Sequence, residues 1–247
     1  MPGPNQGFRQ DDLEPQDVEM RKALLHNVLL PACQLYPITG VNLFPEVANG
    51  ICGVPYIAGI FMSSKHPIPS NRPPEWARRQ VRQWHPDPPV VLNIRDCGYH
   101  DARNSNRLQW ETVREVLQSE GYPVVWVDDF GKEFQYQNIL LRAALFEYAH
   151  AVLGVNNGPM ILAKLNANAT YALFKPLAPT VATTPEWWAK NLATPPGTPR
   201  LPWAYDNQMI IWEEDDAETI LKAFHDLPKE KSGKDHMRWP LLQPTQS

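Results

Sequence analysis

Apolar residues in the middle of the chain come in short β-branched runs separated by stretches whose apolar spacing is helical. Val90-Val91-Leu92-Asn93-Ile94 follows a proline block and predicts a buried strand. After a polar loop, Asn104, Ser105 or Asn106 can cap a helix that carries Leu108, Val113, Val116 and Leu117 and stops at Gly121. Val124-Val125-Trp126-Val127 predicts a second strand, ending at Asp128-Asp129. Residues 139–150 are apolar nearly all round and predict a well-buried helix. Ala151-Val152-Leu153-Gly154-Val155 predicts a third strand, residues 159–165 a helix, and Thr170-Tyr171-Ala172-Leu173-Phe174 a fourth strand. Met209-Ile210-Ile211-Trp212, followed by Asp215-Asp216 and then Ile220, Leu221 and Phe224, adds one more strand and its capped helix. Strands alternating with helices at short intervals are the signature of βαβ units, so the fold class is α/β with a Rossmann-like parallel sheet.

Outside this segment the pattern weakens. Residues 1–17 are polar and rich in Pro and Gly, and predict a disordered arm. Residues 18–36 carry apolar positions at helical spacing, interrupted at Pro31, and residues 54–62 are the best strand candidate before the centre. Residues 75–84 predict a short basic helix that starts after Pro74. The expected organisation is a reduced, irregular N-terminal subdomain over 18–88, a sheet domain over 89–228, and a tail over 229–247. The 26 prolines support this division, because only Pro123 and Pro159 lie between Val90 and Lys175. Proline neither donates to a ladder nor sits inside a helix, so regular structure concentrates where it is scarce. The stretch from 175 to 207 is rich in Pro and Trp and reads as a connecting or lid segment.

Composition narrows the classes of function. An apolar share of 43% and a charged share of 20% describe a globular chain. A net charge of −4, without basic runs, argues against a nucleic-acid partner, whose binding depends on a positive stripe. Cys33, Cys52 and Cys97 are too few and too scattered for a disulfide framework or a zinc site. The N-terminus has no signal-peptide pattern and no apolar run reaches membrane-spanning length, so a cytoplasmic protein without a membrane span is expected.

In open parallel sheets ligands bind beyond the carboxyl ends of the strands. The third strand runs straight into Asn156-Asn157-Gly158-Pro159-Met160. Gly158 permits a tight turn with close backbone approach, and Pro159 suits the first helical position. The free N–H groups of such a first turn, with the helix dipole, favour an anion. The competing reading is an ordinary turn that caps itself through Asn157. After the first strand, Arg95 and Arg103 offer planar forks that can grip two phosphate oxygens at once. The same loop holds Asp96, His100 and Asp101, any of which can serve as a general base.

The run from Ala151 through Asn156-Asn157-Gly158-Pro159-Met160 to Ala163, with the following strand at Phe174 and then Pro179-Thr180, resembles the C-terminal nucleotide-sugar-binding domain of the heptosyltransferase-like (family 9) glycosyltransferases. The resemblance covers residues 89–180, about a third of the chain. It implies a GT-B-type donor domain in which this turn binds the donor diphosphate through Asn156, Asn157, Gly158, Pro159 and Met160, helped by Arg95 and Arg103. Asn156 stands where that family has an acidic residue, and Ile161 where it has histidine.

The implied activity is sugar transfer from a nucleotide sugar to a glycan or other acceptor. It would need no metal and no cofactor beyond the co-substrate, with Asp101 or His100 as base and Arg103 stabilising the departing diphosphate. The rivals are a non-catalytic nucleotide-sugar-binding module that has lost its acceptor domain, and a different Rossmann-like enzyme handling phosphosugars. No glycine-rich dinucleotide fingerprint follows any strand, which disfavours a nicotinamide dehydrogenase. Asp128 and Asp129 read chiefly as a strand-end turn, Glu147 and His150 as satisfied structural groups, and Trp187, Trp188 and Trp203 as packing or a sugar-stacking wall.

Overall fold

The protein is described from a computed structural model, over residues 72–97, 101–128, 134–179 and 183–228. The expected arm, the 18–36 helix, the 54–62 strand, the tail, His100, Asp129, Cys33 and Cys52 lie outside these residues.

Five strands form one all-parallel sheet. They are β1 (Val90–Asn93), β2 (Val124–Val127), β3 (Ala151–Val155), β4 (Tyr171–Phe174) and β5 (Gln208–Ile210). Their spatial order is β2-β1-β3-β4-β5. Central β1 and β3 are buried at every position, as continuous apolar runs covered on both faces should be. Edge strand β2 buries only Val125 and Val127, and the other edge, β5, is three residues long. Short or half-buried edges limit unwanted strand pairing.

The helices are α1 (Glu75–Trp84), α2 (Arg107–Ser119), α3 (Ile139–Tyr148), α4 (Ile161–Lys164), α5 (Pro185–Leu192) and α6 (Ala217–Asp226). On one face Trp110, Val113 and Leu117 of α2 and Ile220, Ala223 and Phe224 of α6 pack on Val90, Leu92, Ile94, Leu153, Val155 and Phe174. Alternate strand residues point to the other face, where α3 buries Leu141 to Phe146 and α1 packs on α3 through Ala77 and Val81. Burying the α3 side chains supplies roughly 1.5–3 kcal/mol for each large apolar residue. Ile139 and Leu140 at its start are exposed, so α3 is not buried all round as its composition predicted.

Caps follow the sequence in part. The Asn138 side chain accepts from the amides of Leu140 and Leu141, Thr184 from Trp187, and Asp216 from Thr219. At α2 the N-cap is Asn106, yet no side chain caps it. Asn106 instead donates its own amide to the Asp215 carboxylate (2.7 Å), while Asn104 and Ser105 bond back across the loop. The proline-rich connection also contains α5, which the sequence reading left as a connector although Thr184-Pro185 is a helix-start signal. Among the described residues no helix is long and apolar enough to cross a membrane.

Candidate functional site

The chain leaves β1 toward β2 on one side, while β3 lies against β1 on the other. This is the topological switch point, and the loops after β1 and β3 flank the crevice where open α/β sheets bind ligands. The two loops singled out in the sequence are these two.

The loop after β1 is closed at its base. Arg95 N–H donates to Ser105 Oγ (2.9 Å) and Ser105 N–H to the Arg95 carbonyl (2.9 Å). One step further out, Cys97 N–H donates to Asn104 Oδ1 (3.1 Å) and Asn104 Nδ2 to the Cys97 carbonyl (2.9 Å). These pairings fix Asp101–Arg103, a single 3-10 turn, beside the end of β3. Arg103 then donates from Nη2 to the Asn156 carbonyl (3.0 Å), joining the two loops. Arg95 is buried at the end of β1. Asp101 is exposed, and Asp96 is exposed and paired with Arg107 (3.5 Å).

The turn after β3 is wound more tightly than the sequence indicated. The helix spans only Ile161–Lys164, and residues 159 and 160 form a turn ahead of it. Ile161, Leu162 and Ala163 bond back three residues, to the Gly158, Pro159 and Met160 carbonyls. Met160 N–H donates to Asn157 Oδ1 (3.1 Å), which also accepts from Asn93 Nδ2 (3.0 Å). Asn157 therefore caps its own turn. The amides from Met160 to Leu165 are spent internally, which corrects the expectation of free first-turn N–H groups there.

Gly158 lies outside the left-handed region, and a Cβ built on it would meet nothing within 4 Å. Its backbone does not require glycine, but the space beside it is open. The close approach that glycine permits occurs instead at Gly154, where a Cβ would lie 2.8 Å from the Asn93 carbonyl oxygen.

Asn156 is held from four sides. Its N–H donates to the Phe174 carbonyl (3.2 Å) and its Nδ2 to the Pro176 carbonyl (3.4 Å). Its carbonyl accepts from Arg103, and its Oδ1 accepts from Lys164 Nζ (2.9 Å). The amide orientation is self-consistent, with NH2 facing a carbonyl and oxygen facing an amine.

Lys164 is buried, with its ammonium 5.9 Å from the centre of the Trp188 ring. Burial, and then the charge of Arg103, pull its pKa from 10.5 down to about 7. Lys175, at the end of β4, holds the Asn104 carbonyl (3.4 Å), Glu214 (3.2 Å) and Asp215 (3.6 Å). Asp215 is buried and also receives Trp110 Nε1 (2.7 Å), so it ties α2 to the segment before α6. The sequence reading missed Lys164, Lys175 and Asp215 as contributors to this end of the sheet.

The remaining candidates are structural. Glu147 pairs with Arg78 (2.8 Å) and accepts from Asn166 (3.0 Å), and the His150 ring packs against Tyr122 and Phe224. Trp188 is buried edge-on to Trp212, and Trp203 is buried and donates to the Lys164 carbonyl (3.1 Å). Both are packed side chains and form no open wall. Cys97 is buried. Among the described residues no group of three or more His, Cys, Asp or Glu is arranged to hold a metal ion. No protein-family model matches the chain, and a search of curated proteins finds no match.

Proposed function

We propose that the chain binds a nucleotide sugar by its diphosphate in the crevice between the ends of β1 and β3 and transfers the sugar to an acceptor. The observation that carries this reading is the convergence of two basic side chains, Arg103 and Lys164, on one residue, Asn156, at the switch point. Arg95 adds a buried guanidinium at the end of β1, and the open space beside Gly158 admits a ligand close to the backbone. Side-chain cations thus take the part first assigned to helix amides. The nucleotide-sugar identity rests on the resemblance of the Asn156-Asn157-Gly158-Pro159-Met160 turn to glycosyltransferase donor sites. Transfer is a direct displacement: the acceptor hydroxyl attacks the anomeric carbon while the bond to the diphosphate breaks. Asp101 or His100 takes the hydroxyl proton, and Arg103 stabilises the charge gathering on the leaving diphosphate.

Titration calorimetry with UDP, ADP and GDP tests the binding step. Arg103→Ala should lose about 1.5–3 kcal/mol, the usual worth of a charge-assisted contact. Arg103→Lys should recover only part of that, because a lysine lacks the planar fork. Equal affinity of parent and Arg103→Ala would refute the assignment. Sugar release from the donor that persists in EDTA and falls in Asp101→Asn supports transfer. Tight binding without turnover, with any acceptor extract, would identify a binding module instead.

A further inference from the structure

We propose that Lys164 is the second cation of the anion site, acting across the Asn156 side chain, and that binding of a phosphate-bearing ligand is coupled to uptake of one proton by this amine. The inference rests on the nucleotide-binding reading and adds a proton linkage that the reading does not contain. Lys164 sits at the end of a one-turn helix and reaches back eight residues to Asn156 Oδ1 (2.9 Å). Its acceptor is a neutral amide, and its other close neighbour is the Trp188 ring. Arg103, hydrogen-bonded to the same asparagine, repels the ammonium form.

The charged groups on the packed elements do not offset this. On α3, Arg142 is engaged with the Tyr136 and Asp128 carbonyls, and Glu147 with Arg78 and Asn166. On α5, Glu186 and Lys190 are exposed, and beyond β4 Lys175 is held by Glu214 and Asp215. An amine placed in this way loses its proton near neutral pH, at about 7. A phosphate arriving beside Arg103 reverses the local balance, since an anion within a few ångströms favours the charged amine. The proton moves from solvent to Nζ, and the bound state holds one more proton than the free protein.

Calorimetric titration of the full chain with UDP, ADP and GDP at pH 8, in two buffers of different ionisation enthalpy, measures that proton directly. At this pH the terminal phosphate is already fully ionised, so net uptake belongs to the protein. The parent should take up close to one proton. Lys164→Met should bind at least tenfold more weakly with no uptake. Asn156→Asp supplies a carboxylate that keeps the lysine charged in the free protein, so it too should show no uptake. Binding by the parent without uptake, or uptake retained in Lys164→Met, overturns this proposal and leaves the nucleotide reading standing. Failure of the parent to bind any of the three nucleotides overturns both.

Discussion

Replacing Gly154 by alanine places one methyl group where β3 packs tightly against β1. Gly154 is paired with Asn93 across β3 and β1, and the new Cβ would stand 2.8 Å from the Asn93 carbonyl oxygen, 3.0 Å from Met160 Sδ and 3.1 Å from Asn93 Cβ. The methionine can yield, because its thioether chain is flexible. The carbonyl belongs to the sheet backbone, so relief requires β1 and β3 to part at the end that carries both ligand loops. Overpacking of this kind costs about 1–3 kcal/mol. The entropy lost from the unfolded chain offsets some 0.4–1 kcal/mol of that. If the shift breaks the buried bond from Asn93 to Asn157 (3.0 Å), roughly another 1 kcal/mol is lost. The net is about 1–3 kcal/mol, or a fall in Tm of about 2–12 °C for a domain of this size. Thermal melts followed by circular dichroism measure it, with Gly158→Ala as the control in open space. A Gly154→Ala protein that melts within a degree of the parent would refute the close-approach reasoning. So would a control that is the more destabilised of the two.

Three other outcomes follow from the same geometry. Gly158→Ala should melt at the parent temperature yet bind nucleoside diphosphates at least tenfold more weakly, since its methyl occupies the space left for the ligand; unchanged affinity in titration calorimetry would remove the ligand from that space. The free protein should gain stability as pH rises from about 7 toward 10.5, because over that window the native Lys164 amine is neutral while the unfolded one still holds its proton. Urea midpoints at pH 6.5 and 9 should show that gain, at most about 5 kcal/mol over the whole window, and Lys164→Met should flatten it. Asp215→Ala should lower stability by several kcal/mol, because the carboxylate leaves behind the Asn106 amide, the Trp110 indole and Lys175; a loss under 1 kcal/mol in denaturant unfolding would contradict that role.

The sheet was readable from sequence because β-branched runs such as Val90-Val91-Leu92 and Ala151-Val152-Leu153 have no stable alternative to burial between helices. Arg103 lies beside the end of β3 because a loop leaving a central strand ends near the switch point. The α2 cap was not readable. Asn104, Ser105 and Asn106 all suit an N-cap by type, and choosing among them depends on Asp215, more than a hundred residues later, which takes the Asn106 amide. Gly158 was not readable either: glycine before Pro159 suggests a tight turn with close approach, but its φ lies outside the left-handed region and the space beside it is open.

Lys164 lies inside the helix that the sequence predicts over residues 159–165, but that placement does not say where its amine goes. Nothing in the apolar run Met160-Ile161-Leu162-Ala163 before it indicates that its side chain folds back toward the start of the turn. In the folded chain the helix is a single turn and stops before Asn166, whose side chain accepts the Asn168 amide and donates to Glu147. That local bonding competes with helix continuation, as asparagine side chains commonly do. From the last residue of this one turn, a lysine stem is long enough to return its amine to Asn156, the first residue after β3.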